Sequence, residues 1–250
     1  MSTAEHADDR IRAVVCLPTY DERENLEPMI RALAGVLDTA RDRVLVVDDA
    51  SPDGTGEIAD RLSAELPWVS VLHRERKEGI GPAYVAGFRR ALSAGAELVI
   101  EMDCDFSHDP EDVPRLIAAA EGGADLVLGS RYAPGGGTRN WGIVRRVVSR
   151  GGCLYAQVFL GVRVRDLTGG FKCFRRGTLE AIDLDALSAH GYAFQIETTY
   201  RVRRAGLQVV EVPITFVERR AGASKMTGSI VAEAMWKVPL LRVRALAGRL

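Results

Sequence analysis

The stretch LVIEMDCDFSHDP, Leu98 to Pro110, decides the fold. Its apolar part, Leu98–Met102, ends abruptly in Asp103-Cys104-Asp105, and Pro110 stands where a helix can begin. A short apolar run cut off in this way is the pattern of a strand buried on both faces. Proline suits the first turn of a helix, which sets the next helix at 110–121. The same unit repeats to either side. Upstream, Arg12–Leu17 gives way to Pro18-Thr19-Tyr20-Asp21-Glu22, and residues 22–40 show helical spacing through Leu26, Ile30, Leu33 and Leu37. Val44–Val47 ends in Asp48-Asp49 ahead of a helix over 55–66, and Val69–His73 precedes one over 83–94. Downstream, Leu126–Gly129 is a further strand. This alternation predicts an α/β fold, a mostly parallel sheet with helices on both faces. Ligands of such sheets lie beyond the carboxyl ends of the strands, which is where the polar clusters fall.

After residue 130 the pattern loosens. Gly135-Gly136-Gly137 reads as a flexible loop, and a basic helical stretch follows from Arg139 to Arg150. A strand is expected over 171–174, a helix over 194–205, and a strand pair over 209–217 around Pro213. Residues 1–10 read as a loose tail and 11–227 as one domain. An amphipathic, basic helix is expected over 228–250.

Composition narrows the function. The 250 residues suffice for one sizeable core. Lys and Arg number 33 against 34 Asp and Glu, a net charge of −1, which excludes a general nucleic-acid binder. The four cysteines, at 16, 104, 153 and 173, form no C-x-x-C pair, so a zinc or redox motif is not expected and a reducing cytosol fits. The opening MSTAEHADDR lacks the features of a signal peptide. No run approaches the about 20 apolar residues that cross a bilayer.

Asp103-Cys104-Asp105 is the sharpest chemical signal. In extended chain, residues two apart point to one side, so the carboxylates converge and Cys104 faces away. Such a pair repels itself unless a cation is present, and its hard oxygens suit Mg²⁺ or Mn²⁺ shared with substrate phosphates. Glu101 is in phase with them but inside the strand, and is expected to pair with a basic residue. In the segment from Asp48 to Thr55, Asp53-Gly54-Thr55 reads as a turn and helix cap. The two acids directly after the strand can accept hydrogen bonds from a nucleobase or ribose. Gly79-Ile80-Gly81 reads as a helix-start turn. The four histidines make no metal spacing, and His108 beside the acid pair is a candidate neighbour of the metal.

Together these clusters resemble inverting glycosyltransferase family 2, and within it the polyprenyl (dolichyl) phosphate mannose synthases. The resemblance rests on Pro18-Thr19-Tyr20-Asp21-Glu22-x-x-Asn25, Asp48-Asp49-x-Ser51-Pro52-Asp53-Gly54-Thr55 and Asp103-x-Asp105-x-Ser107-His108-x-Pro110. It continues through Gly129-Ser130-Arg131-Tyr132, the segment Asp166 to Phe171, Gly191-Tyr192-x-Phe194-Gln195-x-Glu197, Val212-Pro213-Ile214-x-Phe216 and Arg219 to Lys225. It covers roughly residues 12–230 in order. It implies a GT-A fold, a GDP-mannose donor and a polyprenyl phosphate acceptor. Carried over by motif, Pro18, Tyr20 and Glu22 border the nucleotide, Val47 and Asp49 meet its base or ribose, and Cys104 lies beside it. Asp103 and Asp105 hold the metal, with Ser107 and His108 close by. Arg131, Arg219 and Lys225 meet around the phosphates, and Asp105 and Arg131 are the expected catalytic pair. Asp21 stands where many relatives carry Asn.

The resemblance also implies work at the cytoplasmic face of a membrane, since members that lack membrane helices rely on a separate integral partner. The basic stretches 139–150 and 228–250 are candidates for the membrane surface or for that partner. Transfer of another sugar, such as glucose, to the same lipid remains open, as does a non-catalytic nucleotide-binding subunit. The first strand lacks the Gly-x-Gly-x-x-Gly turn of a nicotinamide enzyme. No glutamine fits the Q-x-x-R-W element of processive polysaccharide synthases.

Overall fold

The structure is a computed structural model that describes residues 10–187, 191–218, 228–248 and 250. The first half follows the predicted alternation. In order come β1 (Ala13–Thr19), α1 (Leu26–Ala34), β2 (Asp42–Asp48), α2 (Thr55–Glu65), β3 (Val69–His73), α3 (Ile80–Ser93), β4 (Leu98–Glu101), α4 (Val113–Glu121) and β5 (Leu126–Ser130). The second half holds β6 (Gly137–Arg139), α5 (Ile143–Leu160), β7 (Lys172–Arg175), α6 (Arg176–Ala181), α7 (Gly191–Arg204), β8 (Val209–Pro213), β9 (Thr215–Val217) and α8 (Gly228–Leu246). Among the described residues, one sheet runs β3-β2-β1-β4-β7-β5-β8 and a ribbon pairs β6 with β9. The large sheet is parallel except for β7, which is antiparallel to both neighbours.

Alternation along each strand divides the core. Val14, Cys16, Leu45 and Val47 face one layer, with Tyr84 and Phe88 of α3, Ala156 of α5, Phe194 and Tyr200 of α7 and Val238 of α8. Val15, Leu17, Val44 and Val46 face the other, with Leu26 and Met29 of α1, Leu62 of α2 and Leu116 of α4. Burial on both faces is why these strands read as continuous apolar runs. Consecutive arginines after β7 then brace both layers. Arg175 Nε donates to Ala124 O just past α4 (3.0 Å), and Arg176 Nη2 donates to Leu92 O at the end of α3 (2.6 Å). Guanidinium groups suit the unsatisfied carbonyls of helix ends.

Two expectations need correction. Residues 209–217 do form two strands, but they belong to different sheets, the chain crossing over at Ile214, whose N–H donates to Ser130 O (3.1 Å). Gly135–Gly137 is no loose loop. Gly136 N–H donates to Ala133 O and Gly137 N–H to Ile214 O, and Gly137 opens β6. Gly136 answers a need for space, since a Cβ there would stand 2.5 Å from Ser130 O. Backbone cannot yield there as a side-chain tip could, so Gly136→Ala should cost about 1–3 kcal/mol, the range for overpacking. Urea unfolding measures this, and an unchanged midpoint contradicts it.

Candidate active site

The polar clusters gather at the carboxyl ends of β1, β2 and β4, the edge predicted for a ligand. The loops after β1 and β2 are tied together there. Asp49 N–H donates to Thr19 O (3.0 Å), Asp21 N–H to Ser51 Oγ (3.3 Å), Glu22 N–H to Thr55 Oγ1 (3.0 Å) and Arg23 N–H to Asp53 Oδ2 (3.1 Å). Asp53 also takes both the N–H and the hydroxyl of Thr55, which serves the start of α2 as the turn reading expected. Asp21 sits at φ 56°, in the left-handed region. Asp and Asn tolerate that region better than most residues, which explains why either can stand at this position.

This edge carries Pro18, Tyr20, Glu22 and Asp49 side by side. Lys77 Nζ lies 3.5 Å from the centre of the Tyr20 ring, and Arg74 pairs with Asp49. Burial pushes the Asp49 carboxyl up, and Arg74 only partly opposes it. A cleft of about 370 Å³ opens on the far side of Arg74, with Glu78, Gly81, Arg89, Asp185 and Phe194 in its wall. Val47 and Cys104 lie elsewhere. Both side chains are core, Val47 above Gly87 and Cys104 in the layer of α1 and α4.

The acid pair follows β4 directly. Tyr84 OH donates to Asp103 Oδ1 (3.1 Å), and Asp103 N–H donates to His108 Nδ1 (3.3 Å). Phe106, at φ 59°, turns the chain back so that Ser107 N–H reaches Asp105 Oδ1 (3.0 Å). Val217 N–H holds Ser107 O (3.1 Å), which fastens this turn to the ribbon. Burial pushes the His108 ring down to about 4, so it is neutral at pH 7 and its Nδ1 accepts. It stacks on Phe171 at 4.9 Å and meets Phe216 edge-on.

The donors on hand fit a hard divalent cation. Asp105 is 5% exposed, Asp103 is half-buried, and the Ser107 hydroxyl is buried with no hydrogen-bond partner among the described residues. Among the described residues no three His, Cys, Asp or Glu side chains converge on one metal position. Such an ion must complete its shell with water and substrate oxygens, the usual habit of Mg²⁺.

Behind this pair, Glu101 does not bond a basic residue directly. Its carboxyl accepts from the Gln195 amide, while Lys172 stands opposite in the strand register. Burial pushes Glu101 up to about 7 and Lys172 down to about 8, each opposed by the other's charge.

Arg131 is placed more deeply than the motif suggested. Its Nε and Nη2 donate to Asp166 (2.7 and 2.5 Å), Nη2 also donates to Thr168, and its own N–H donates to Asp166 Oδ2 (2.9 Å). Burial pushes the Asp166 carboxyl up, but Arg131 beside it holds it below its ordinary value. Arg219 and Lys225 lie outside the described residues. The basic stretch after Arg139 also has an unread side. Ile143, Val147, Leu154 and Val158 of α5 are 60–78% exposed, and their spacing puts them on one helix face. Trp236, Val243 and Leu246 of α8 are exposed too. The spacing of four apolar residues along α5 was the available signal, masked by the arginines between them. No helix among the described residues is long and apolar enough to cross a membrane.

The comparisons with known proteins agree with this geometry. The Glycosyl transferase family 2 model matches residues 14–183. An undecaprenyl-phosphate mannosyltransferase of Micrococcus luteus is 50% identical, over 91% of this chain and 93% of its own. A polyprenol monophosphomannose synthase of Mycolicibacterium smegmatis is 49% identical, over 91% and 85%. Among solved structures, glucosyl-3-phosphoglycerate synthase of Mycobacterium tuberculosis, in complex with Mn²⁺, UDP and its product, shares the fold. It is 22% identical with TM-score 0.65, over 95% of this chain and 79% of that one.

Asp166→Ala would leave the Arg131 charge buried and unpaired. It should destabilise the fold by about 3–5 kcal/mol, as breaking a buried pair does. Thermal unfolding tests this, and a loss of activity at full stability would show that the pair is not structural.

Proposed function

The chain belongs to glycosyltransferase family 2, and on that premise we propose that it transfers mannose from GDP-mannose to a polyprenyl phosphate, giving a β-linked polyprenyl mannosyl phosphate. The observation that carries this is the acid pair at the ligand edge, at the carboxyl end of β4 beside the tied loops after β1 and β2. Two relatives near 50% identity, whose names specify mannose and a polyprenyl carrier, support the sugar and the lipid.

Pro18, Tyr20, Glu22 and Asp49 receive the nucleoside. Asp103 and Asp105 hold Mg²⁺ or Mn²⁺, with Ser107 and His108 around them. When bound, the ion supplies charge stabilisation to the departing diphosphate. Arg131, Arg219 and Lys225 add positive charge around the phosphates. Because Asp166 offsets Arg131, the larger share falls to the other two. The acceptor is a phosphate monoester, whose second pKa near ~6 leaves it ionised at neutral pH. It needs orientation more than a base, and direct attack inverts the sugar carbon once.

The lipid tail fixes where this happens. Each CH₂ drawn into water costs about 0.8 kcal/mol, so the enzyme must come to the headgroup, at the cytoplasmic face of the membrane. The exposed apolar face of α5, bordered by Arg146 and Arg150, is suited to that surface, and Trp236 with Lys237 on α8 extends it. Apolar burial and basic residues at about 1 kcal/mol each act together there. An integral membrane subunit is a further partner of the same helices.

Incubation with labelled GDP-mannose and a polyprenyl phosphate, followed by lipid extraction, should give a β-mannosyl phosphate by NMR. UDP-glucose should give little product. Asp105→Asn should lower turnover by ~100-fold or more, equivalent to ~2.7 kcal/mol, and excess chelator should act likewise. Full activity in chelator would remove the metal, and an α-linked product would remove direct displacement. Val147→Asp with Val158→Asp should abolish flotation with anionic liposomes while leaving thermal stability unchanged. Flotation at the wild-type level would show that α5 is not the docking face.

A further inference from the structure

Glu101 is the last residue of β4 that the sheet holds on both sides, opposite Cys16 of β1 and Lys172 of β7. Asp103 follows two residues later. The Glu101 side chain is fully buried. Among the described residues, its carboxyl has one hydrogen-bond donor, the Gln195 amide, and Oε2 has none. Lys172 does not fill that vacancy. Its ammonium donates to Gln195 O (3.0 Å), Gln195 Oε1 (2.5 Å) and Thr198 Oγ1 (3.0 Å), all in the first two turns of α7. An ammonium has three protons to donate, so Lys172 is fully committed to α7. Gln195 therefore stands between the two strands, accepting from β7 and donating to β4.

A second route runs beside the first. Phe194, the preceding residue, stacks on the Tyr84 ring with centroids 6.2 Å apart and planes nearly parallel. Tyr84 in turn donates to Asp103. Gly170 covers the junction, since a Cβ there would stand 3.2 Å from Gln195 Nε2 and 3.8 Å from Glu101 Oε1. Gly170 belongs to the segment whose Asp166 holds Arg131. The start of α7 thus touches the strand end and the segment over it, and reaches Asp103 through Tyr84.

We propose that Gln195 is a positioning residue that holds the end of β4, and with it Asp103 and Asp105, in the geometry that binds the metal and diphosphate. This rests on the reading of Asp103 and Asp105 as metal ligands. Loss of the Gln195 donor would leave the Glu101 carboxyl buried with no donor at all. Such a group moves toward another partner. The sheet fixes its backbone, so the yielding part is the chain just beyond, where the acid pair begins. A packing role alone would not predict that direction.

The test is Mn²⁺ titration of the full chain with GDP, read by electron paramagnetic resonance, for wild type, Gln195→Leu and Gln195→Glu. Gln195→Leu keeps volume and loses both bonds. Gln195→Glu keeps the Lys172 contact and loses the donation to Glu101. Each should weaken Mn²⁺ binding about 10-fold, as loss of a group that orients a metal ligand does. The kcat should fall in step while the lipid KM stays within about twofold of wild type. Should Gln195→Leu fail to unfold cooperatively, Gln195→Glu decides alone. Wild-type Mn²⁺ affinity and kcat in a folded variant would overturn the role of Gln195 alone. No Mn²⁺ binding by the wild-type chain would overturn the metal reading, and this role with it.

Discussion

Asp103 and Asp105 emerge from a strand buried on both faces, and the surrounding structure keeps these like charges together at its mouth. Held two residues apart near low-dielectric protein, such a pair favours a cation or a proton. Neighbouring donors hold the pair in place. Tyr84 donates to one carboxylate and the Ser107 N–H to the other. The neutral His108 ring anchors the Asp103 N–H without adding a competing positive charge. The edge is therefore prepared for an ion that arrives with its own anionic ligands, as a sugar nucleotide provides.

The two sides of that edge are built differently, in keeping with two different substrates. On the nucleotide side, short loops are laced by backbone donors and small side chains, which suits a rigid, polar ligand. On the other side, Arg131 is fixed by Asp166, and α5 turns an apolar face outward, a placed charge beside a greasy surround that suits the proposed lipid phosphate. The helices α5 and α8 bond to each other, through Tyr155 OH on Met235 O and Arg242 Nη1 on Leu160 O, and α8 reaches α7 through Arg242 Nη1 on Tyr200 OH, so that face is continuous with the core.

The first half of the fold was legible because each unit is local. A strand buried on both faces shows as an apolar run, and its end shows as acids followed by a capped or proline-started helix. That reading placed β1 to β5 and the acid pair. The second half depends on partners far away in sequence. Nothing near Lys172 announces an antiparallel strand slotted between β4 and β5. The Arg131–Asp166 pair spans 35 residues, and Gln195 meets Glu101 across 94. The glycines at 135–137 read as freedom, whereas Gly136 answers crowding by Ser130 O and Gly135 a positive φ of 91°. Three arginines interrupt the first half of α5 and obscure its apolar stripe, although the spacing is there to be read. Val47 and Cys104 joined the nucleotide residues by motif, and burial removed their side chains from it.

The account stands on a metal shared between the acid pair and the donor diphosphate. Crystals of the chain grown with Mn²⁺ and GDP, measured at the manganese absorption edge, test it directly. The expected result is one anomalous peak bonded to Asp105 and the diphosphate, next to Asp103. A diphosphate bound at this edge with no manganese beside it, or manganese bound elsewhere, would contradict it.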